Sequence, residues 1–311
     1  MAIRKVAKML LQPLEWFYPT AKASYMWRMR RAYLRYKYGP VLLLQMGKVG
    51  SKSVQTGLEA LALDRPVYHS HFLSEDRTAR TEKQRRKFFR TKRYAYLRRP
   101  WLNQFLLRMY RNDPQERDWK LVTLTREPVG RNISAFFENL DVVEREAGHE
   151  YEITSDYYGI EPTIVTVKDI AKLAELFFTR ATHDSPVRFF DREIRDIFGI
   201  DVIRSGFDID KGYQIYKAGR VELLVIRLES LADVVIPAFH EFLDIEDFQL
   251  INSNIGAKKV YAPLYDAFKK HVVIDSDYAA KLYDSDYMRT FYAEDEIRDA
   301  KDRWIGHADG T

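Results

Sequence analysis

Residues 41–57, VLLLQMGKVGSKSVQTG, join a wholly apolar run to a short loop rich in Gly, Lys and Ser. The run at 41–44 is typical of a buried parallel strand, and apolar residues at helical spacing follow the loop. A loop that opens a helix after such a strand presents free backbone N–H groups and the positive end of the helix dipole. Lys48 and Lys52 add positive charge to this loop. The stretch therefore predicts an anion site suited to the phosphate or sulfate end of a nucleotide.

Strand-like and helix-like segments alternate along the rest of the chain, which favours a parallel sheet with helices on its faces. Further strands are predicted at 66–71 and 120–125, and a hairpin at 213–228 whose second arm, VELLVIRL, is the most strand-like run. A turn at 126–131 is predicted to lead into a helix that begins at Asn132. Other helices are predicted at 165–182, 187–198, 231–243, 262–271 and 278–302. The sequence therefore predicts an α/β fold with a central, mainly parallel sheet flanked by helices.

Basic residues are concentrated in two blocks, although the net charge of the whole chain is only +5. Residues 1–39 contain nine Lys and Arg against Glu15 alone, and residues 72–111 contain thirteen against three acidic residues. Such blocks favour an anionic partner, either a substrate, a membrane surface or nucleic acid. No recognised nucleic-acid motif accompanies them, so we expect no nucleic-acid partner.

Residues 1–39 are predicted to form a helical N-terminal extension, and residues 40–311 an α/β domain with a charged helical insertion at about 74–111. The aromatic side chains among the cations of the extension suit peripheral contact with a membrane. A helix packed on the domain with a solvated basic face explains them equally well. No apolar run approaches the roughly 20 residues of a membrane span, and there is no signal-peptide core. We therefore expect a cytoplasmic protein, and contact of residues 1–39 with the inner membrane face is one of the two interpretations of the extension.

The chain contains no Cys, which excludes disulfides, thiolate metal sites and Cys nucleophiles. The loop after the first strand is not a Walker A motif, because Met46 and Ser51 stand where that motif needs Gly. No aspartate ends a strand as a Walker B residue would. A magnesium-dependent phosphoryl-transfer enzyme would therefore lack its metal ligand, and we expect no metal requirement. An ordinary strand-to-helix turn that contains Gly and Lys is the alternative to an anion site.

Arg126 lies at the end of the third predicted strand, and Ser134 follows eight residues later on the next helix. Loops at the carboxyl edge of a parallel sheet border the ligand crevice. An Arg fork and a helix hydroxyl can hold a second phosphate, which suits a nucleotide phosphorylated at two positions. A capping salt bridge between Arg126 and Glu127 or Glu138 is the alternative.

These motifs resemble those of the sulfotransferases that use 3′-phosphoadenosine 5′-phosphosulfate (PAPS). The residues similar to the 5′-phosphosulfate loop of that family are Lys48, Val49, Gly50, Ser51, Lys52 and Ser53. Arg126 and Ser134 resemble its 3′-phosphate motif, and the strand end at 228–231 resembles its late strand with an acidic residue. The residues similar to its late nucleotide-covering loop are Asn254, Gly256, Lys259 and Tyr261. Lys52 departs from the family, which commonly has a small hydroxyl residue there, and it either adds charge to the loop or points to solvent.

The resemblance implies a P-loop-like three-layer fold and transfer of a sulfuryl group from PAPS, with 3′,5′-adenosine bisphosphate as the product. It is closest to a bacterial group of capsular polysaccharide synthesis proteins. The acceptor implied is a hydroxyl of an anionic capsular polysaccharide, exopolysaccharide or glycolipid. The motif residues would bind the nucleotide, and Lys48 would stabilise the leaving phosphate.

His69 and His71 lie two residues apart on the second predicted strand, so their side chains point to the same face. The pair resembles the His-x-His element of uronosyl 2-O-sulfotransferases, which implies that His71 is the general base. His69 and Arg77 would then bind the substrate. The alternatives are a structural His bonded to the backbone, and a Glu base, either Glu138 or Glu75.

Two other functions are compatible with the sequence. A P-loop kinase would use the anion loop for ATP, and a non-catalytic membrane-peripheral scaffold of polysaccharide synthesis would keep the fold without the chemistry. Only a sulfotransferase needs Arg126, Ser134 and Lys259 around a 3′-phosphate. Binding of 3′,5′-adenosine bisphosphate without dependence on ATP or Mg²⁺ therefore separates a sulfotransferase from a kinase.

Overall fold

The computed structural model describes residues 18–86, 97–145, 150–168, 170–251 and 259–305. The strands, in chain order, are β1 (Val41–Leu44), β2 (Val67–Ser70), β3 (Trp119–Thr125), β4 (Asp141–Glu144), β5 (Glu150–Ser155), β6 (Ile160–Thr166), β7 (Tyr213–Ala218) and β8 (Val221–Arg227). Five of them form the central sheet in the order β2–β1–β3–β8–β7. The first four run parallel to one another, and β7 is an antiparallel edge strand. The prediction of a central, mainly parallel sheet is confirmed.

The central strands lie where the sequence predicts them. The strands predicted at 41–44, 66–71 and 120–125 correspond to β1, β2 and β3, and the predicted hairpin corresponds to β7 and β8. All four side chains of β1 are fully buried, as expected for a strand with a neighbour on each side and both faces covered. The turn between β7 and β8 contains Gly219 at a φ of 54°, a left-handed conformation that glycine adopts without strain.

Helices flank the central sheet. They are, in chain order, α1 (Tyr18–Tyr33), α2 (Ser51–Ala60), α3 (Glu75–Arg86), α4 (Arg98–Asn112), α5 (Pro128–Glu138), α6 (Ile170–Arg180), α7 (Ser185–Phe189), α8 (Asp196–Phe198), α9 (Val202–Ser205), α10 (Leu231–Leu243), α11 (Ala262–His271), α12 (Ser276–Tyr283), α13 (Asp286–Phe291) and α14 (Glu294–Ile305). A π-helical segment, Phe190–Arg195, joins α7 to α8. The helices predicted at 187–198, 231–243 and 262–271 are therefore confirmed, the first of them as an irregular helix.

The prediction of a turn at 126–131 and a helix from Asn132 was wrong, because α5 already begins at Pro128. The carboxylate of Glu127 caps this helix, accepting hydrogen bonds from the backbone N–H groups of Val129 (2.8 Å) and Gly130 (2.7 Å). Proline is favourable at the first helical position because it has no N–H group to leave unpaired. The earlier start places α5 directly behind the carboxyl end of β3.

Two further helix predictions were wrong in extent. The helix predicted at 165–182 begins only at Ile170, because β6 ends at Thr166. The single helix predicted at 278–302 is divided into α12, α13 and α14. Ser285 separates the first two, since its hydroxyl accepts a hydrogen bond from the N–H of Met288 (3.4 Å) and caps α13.

A second sheet, which the sequence did not predict, consists of β4, β5 and β6 in antiparallel order. Tyr151, Ile153 and Ser155 on β5 are buried and the residues between them are partly exposed. This alternation is the period of a strand with one covered face. The strands are short and their outer face carries the exposed apolar residues Val143 and Ile164, so the pattern is too weak to be recognised in isolation.

The N-terminal helix α1 packs against α4 of the predicted insertion. Tyr33 at its end is fully buried, and its hydroxyl donates to Oδ2 of Asp113 (3.0 Å), which in turn pairs with Arg117 (2.7 Å). Residues 1–17 and 87–96 lie outside the described part of the chain. The proposed division at residue 39 stays a prediction.

Membrane-spanning segments were sought among the helices of the described ranges. None of those helices combines the length and the apolar character that crossing a bilayer requires.

Candidate functional site

The predicted site residues follow three neighbouring strands at the same edge of the central sheet. The loop at 45–50 follows β1, His71 follows β2, and Arg126 follows β3. Because β1 lies between β2 and β3 and all three are parallel, their carboxyl ends meet in one crevice. The fold therefore brings the anion loop, the His pair and Arg126 into one region.

The backbone of the anion loop has two left-handed residues, Lys48 at a φ of 73° and Gly50 at a φ of 82°. This conformation costs a residue with a side chain about 1–2 kcal/mol. A Cβ atom at Gly50 would lie 2.7 Å from Cδ1 of Leu228, so a larger residue would have a strained backbone and would displace the Leu228 side chain. Gly50 precedes the first residue of α2 and has no side chain that could cap the helix. The first-turn N–H groups are therefore not covered by a cap side chain.

Four side chains meet beside this loop. Nζ of Lys48 lies 3.2 Å from Oε2 of Glu138, and the same oxygen accepts hydrogen bonds from Nζ of Lys259 and from the hydroxyl of Tyr261 (2.9 Å). Partial burial alone would raise the pKa of Glu138, but Lys259, Lys48 and Tyr261 together lower it to about 2. Burial lowers the pKa of Lys48, against the opposing charge of Glu138. Residues far apart in sequence thus surround one oxygen with three donors.

Two arginines hold carbonyl groups of the anion loop. Nη1 of Arg126 donates to the carbonyl of Lys48 (2.8 Å), and Nε of Arg131 donates to the carbonyl of Gly47 (3.0 Å). Among the described residues, neither Glu127 nor Glu138 forms an ion pair with Arg126, so the capping salt bridge considered as an alternative is not observed. Arg126 thus braces the loop where its backbone is left-handed.

Arg131 is a functional candidate that the sequence did not reveal. It is only 8% exposed, and burial lowers its pKa to about 10. Its Nη1 donates to Oδ1 of Asn132 (3.1 Å), and no carboxylate of the described residues pairs with it. A buried cation without a counter-ion is costly unless an anion binds nearby. The only sequence signal was its position five residues after Arg126 on the same strand-to-helix segment.

Arg131, Ser134 and Glu138 are spaced three and four residues apart on α5, so they lie on one helix face. The first contacts Gly47 and the last contacts Lys48. Ser134 is half-buried between them. The helix therefore turns this predicted phosphate-binding hydroxyl towards the anion loop.

The imidazole rings of His69 and His71 lie 4.8 Å apart between centroids, at 85° to each other, on the same face as predicted. Nδ1 of His71 lies 3.2 Å from the carbonyl oxygen of Gln45. Since a carbonyl only accepts, Nδ1 carries the proton and Nε2 keeps its lone pair. Burial and the charge of Arg99 lower the pKa of His71 to about 4, and burial with the neighbouring His71 lowers that of His69 to about 3. Both rings are therefore neutral at physiological pH.

The side chain of Gln45 is fully buried, yet neither of its amide atoms has a hydrogen-bond partner among the described residues. Nε2 of His69 is also buried without a hydrogen-bond partner among the described residues. An unpaired buried amide costs about 1–3 kcal/mol, which a bound polar ligand would recover. Gln45 directly follows β1, and its polarity in an apolar run was a signal that sequence reasoning overlooked.

Arg77, predicted to bind substrate, is engaged at the start of α3. Its Nη1 lies 3.1 Å from Oε1 of Glu193, whose other oxygen accepts from the N–H groups of Leu73 (2.6 Å) and Ser74 (2.9 Å). Glu193 is fully buried on the π-helical segment. The observed role of Arg77 is structural, and its contact with a substrate stays a prediction. Glu75, considered as a base, pairs with Arg111 on the surface.

The remaining predicted residues differ in their environment. Val49 is fully buried and Lys52 is exposed, while Ser51 is buried and Ser53 partly exposed in the first turn of α2. The side chain of Val49 is therefore not available to a ligand, and only its backbone is. The predicted residues that lie outside the described part of the chain are Asn254 and Gly256. Within the described ranges, no three His, Asp or Glu side chains are grouped as a metal site.

Comparison with known proteins gives one match. No curated protein and no solved structure matches this chain. Residues 163–293 match the family model described as "Putative capsular polysaccharide synthesis protein". The matched part includes Lys259 and Tyr261 but neither the anion loop nor the His pair. This chain is therefore similar, from β6 to α13, to a family assigned to capsular polysaccharide synthesis.

Proposed function

We propose that this protein transfers a sulfuryl group from PAPS to a hydroxyl of a carbohydrate, within capsular or related polysaccharide synthesis. The observation that carries the proposal is the convergence of Lys48, Lys259 and Tyr261 on one oxygen of Glu138, beside a loop with left-handed backbone. Two ammonium groups and a hydroxyl around one oxygen form a suitable environment for a phosphate or sulfate group.

The residues fit a nucleotide that carries anionic groups at both its 5′ and 3′ positions. The 5′-phosphosulfate would lie against Lys48 and the N–H groups that open α2. The 3′-phosphate would be held by Arg126 and Ser134, with Lys259 and Tyr261 covering the nucleotide. The orphaned amide of Gln45 and the buried charge of Arg131 support an anionic, polar ligand in this crevice.

The chemistry requires a base, charge stabilisation and alignment. As the acceptor oxygen attacks sulfur, its proton would pass to Nε2 of His71, which the bond from Nδ1 to Gln45 leaves unprotonated. The bond between sulfur and the bridging phosphate oxygen breaks, and the ammonium of Lys48 would stabilise the charge that develops on that oxygen. The products are a sulfated sugar and 3′,5′-adenosine bisphosphate.

Glu138 is less favourable than His71 as the base. Its pKa of about 2 makes it a weak proton acceptor while both lysines pair with it. Its position instead suggests a counter-ion that a bound nucleotide displaces from Lys48 and Lys259.

A P-loop kinase remains the alternative enzyme, and the carboxyl end of β8 argues against it. Glu229 is the acidic residue nearest the place of a Walker B aspartate. It accepts hydrogen bonds from the N–H of Glu127 (3.0 Å) and the hydroxyl of Tyr292 (3.2 Å), so it is already engaged.

The family match supports a polysaccharide or its lipid-linked precursor as the acceptor class, since capsular synthesis is what that family's description names. An acceptor with carboxylates would also suit the cations around the His pair, which include Arg99, Arg77 and Arg131.

The test is transfer of labelled sulfate from PAPS to fractionated cell polysaccharide and lipid by the full chain. We expect label in one of these fractions, and about 10²–10³-fold less in the Lys48→Ala variant, by analogy with loss of one charge-stabilising donor. Lys172→Ala, an exposed lysine on α6, is the matched control and should retain full transfer.

Calorimetry with 3′,5′-adenosine bisphosphate and with ATP separates the alternatives. A sulfotransferase binds the bisphosphate without Mg²⁺, and Lys48→Ala weakens that binding. Tighter binding of Mg²⁺–ATP, with no label in either fraction, would favour the kinase. A non-catalytic scaffold would bind neither nucleotide and would tolerate Lys48→Ala without loss of polysaccharide synthesis.

A further inference from the structure

We propose that the outward side of α1, together with the groove between α1 and α4, docks on an anionic lipid bilayer. We call this surface the docking face and define it by Trp27, Arg28 and Arg31 on the outward side of α1, by Leu34 and Arg35 in the turn that follows, and by the groove beside them. The proposal does not depend on the enzymatic activity proposed above.

The outward side of α1 carries apolar and basic side chains together. Trp27 is 59% exposed and Leu34 is 40% exposed. Leu34 directly follows α1, and its N–H still donates to the carbonyl of Arg30 (3.0 Å), so the helical spacing of seven residues puts it on the same side as Trp27. The guanidinium of Arg31 stacks over the Trp27 ring at 4.9 Å from its centroid. Trp and Leu beside Arg are the side chains that insert at the headgroup level of a membrane.

The charge of this region has one sign. The described residues 18–39 and helix α4 contain ten Lys and Arg and no Asp or Glu, namely Lys22, Arg28, Arg30, Arg31, Arg35, Lys37, Arg98, Arg99, Arg108 and Arg111. Lys22 pairs with Glu82, and Arg111 with Glu75. No carboxylate in the described ranges forms an ion pair with Arg28, Arg31 or Arg35. Such a surface is complementary to anionic headgroups.

The groove beside this helix is lined by sulfur-containing and aromatic side chains with cations at its rim. Met26, Phe105 and Met109 form its floor, and Arg30 and Arg108 border it. Methionine adapts to irregular apolar groups, and arginine binds phosphate in a forked geometry. An acyl chain end and a phosphate headgroup match this combination.

A lipid surface is favoured over nucleic acid by the apolar residues. Nucleic acid would use the same charges and could stack on Trp27, but it would gain nothing from Leu34 or from the partly exposed Met26. A bilayer interface uses all of them. The combination of exposed aliphatic groups with arginines that have no carboxylate partner therefore favours a lipid surface as the partner of the docking face.

Helix α4 relates the docking face to the candidate site. Arg99 at its start lies close enough to the His pair for its charge to act on both rings, and Arg108 and Met109 line the groove. Ten residues of helix correspond to about 15 Å. Docking would thus hold the crevice near the membrane surface, within reach of a lipid-linked acceptor.

The test is sedimentation of the full chain with vesicles of phosphatidylcholine, with and without phosphatidylglycerol. We expect binding only to the anionic vesicles. Combined substitution of Arg28→Glu, Arg31→Glu and Arg35→Glu should weaken it at least about 100-fold, since each basic residue near an anionic surface contributes about a five-fold factor. The control reverses three exposed charges elsewhere, Lys168→Glu, Arg180→Glu and Lys270→Glu, and should change binding much less.

A second variant separates lipid from nucleic acid. Trp27→Ala with Leu34→Ala keeps every charge, and we expect about ten-fold weaker vesicle binding because apolar insertion is lost. Both side chains are exposed, so circular dichroism should show an unchanged fold. Equal binding to both vesicle types would overturn the proposal. So would full vesicle binding by this variant, or a duplex oligonucleotide that binds more tightly than anionic vesicles.

Discussion

The two halves of the sheet's carboxyl edge are built differently. On the half formed by β2, β1 and β3, the described residues include Lys48, Lys259 and Arg131 near one another, with Glu138 as the single described carboxylate among them. On the half formed by β3 and β8, tyrosines from the C-terminal helices fill the space. The same edge thus carries three cations with one carboxylate on one half, and a half closed by tyrosine side chains on the other.

The closed half has paired polar groups. The hydroxyl of Tyr287 accepts from the N–H of Arg126 (3.1 Å) and donates to its carbonyl (2.9 Å), and that of Tyr283 donates to Glu127 (2.5 Å). Burial raises the pKa of Glu127 and of both tyrosines. Polar groups that satisfy one another stabilise a fold but leave nothing for a ligand.

This contrast identifies the half of the edge that is available for chemistry. The parallel strands would allow a ligand anywhere along their carboxyl ends, but α12 and α13 occupy the ends of β3 and β8. Among the described residues of this edge, the crevice around β1 combines the left-handed backbone at Lys48, the unpaired amide of Gln45 and the buried Arg131, which has no carboxylate partner. On the other half, the unpaired buried atoms are Oγ1 of Thr125 and Nε of Arg227. Substitutions in the two halves should therefore separate activity from stability.

The largest effect is expected from His71→Ala. Loss of the base should reduce sulfate transfer by about 10²–10⁴-fold, while binding of 3′,5′-adenosine bisphosphate changes little. Transfer of label from PAPS and calorimetry measure the two quantities. His240→Ala, an exposed histidine on α10, is the control. Turnover within a few-fold of the parent protein would remove His71 from the mechanism.

Tyr283→Phe, in the other half, should lower the stability of the protein but not its activity. It removes a hydrogen bond to the Glu127 carboxylate, so the free energy of unfolding should fall by about 1.5–3 kcal/mol. Denaturant titration measures this, with the exposed Tyr157→Phe as control. Sulfate transfer under conditions where the variant is folded should be unchanged. A large loss of transfer at full stability would mean that the closed half takes part in the chemistry.

The pH dependence of kcat/KM tests the environment of the base. A free histidine is mostly protonated below a pKa of about 6.5, whereas His71, with a pKa of about 4, stays neutral and competent there. The fold favours the neutral form of His71, so the acid limb of the kcat/KM profile should lie well below pH 6.5. Arg99→Gln should move the limb upwards. A limb at or above pH 6.5 in the parent protein contradicts the assignment.

The smallest effect is expected from Glu138→Gln. If Glu138 competes with the nucleotide for Lys48 and Lys259, its neutral analogue should bind 3′,5′-adenosine bisphosphate about two- to five-fold more tightly, a range set by solvent screening of these ion pairs. Transfer should persist. Glu175→Gln on the exposed side of α6 is the control. Complete loss of transfer with intact binding would instead identify Glu138 as the base.

Local sequence signals predicted most of the central sheet. The apolar run at 41–44 and the VELLVIRL arm are buried in any arrangement, so their strands could be recognised without knowing their neighbours. The second sheet could not, because β4 and β5 are half polar and depend on pairing for their stability. The apolar pattern continues across Ser285 and so predicts one long helix. The division of that helix depends on the capping hydrogen bond of Ser285, which the apolar pattern does not reveal.

The candidate site was predictable only in part. The anion loop, Arg126 and the His pair follow strands and so could be placed at one edge by topology. The meeting of Lys259 with Glu138 joins residues 121 positions apart, and no periodicity encodes it. Arg131 and Gln45 became candidates only when their burial and missing partners were seen.

The left-handed backbone at Lys48 has a consequence for how the protein can be altered. Glycine would occupy that conformation without steric penalty, yet the chain has a residue with a long charged side chain there. Lys48→Gly and Lys48→Ala remove the same ammonium, but the glycine variant should melt at the higher temperature. If thermal denaturation gives the glycine variant the higher melting temperature, the backbone conformation at this position destabilises any residue with a side chain, including the lysine that supplies the ammonium group. A more heat-resistant protein obtained by selecting substitutions here would be an inactive one.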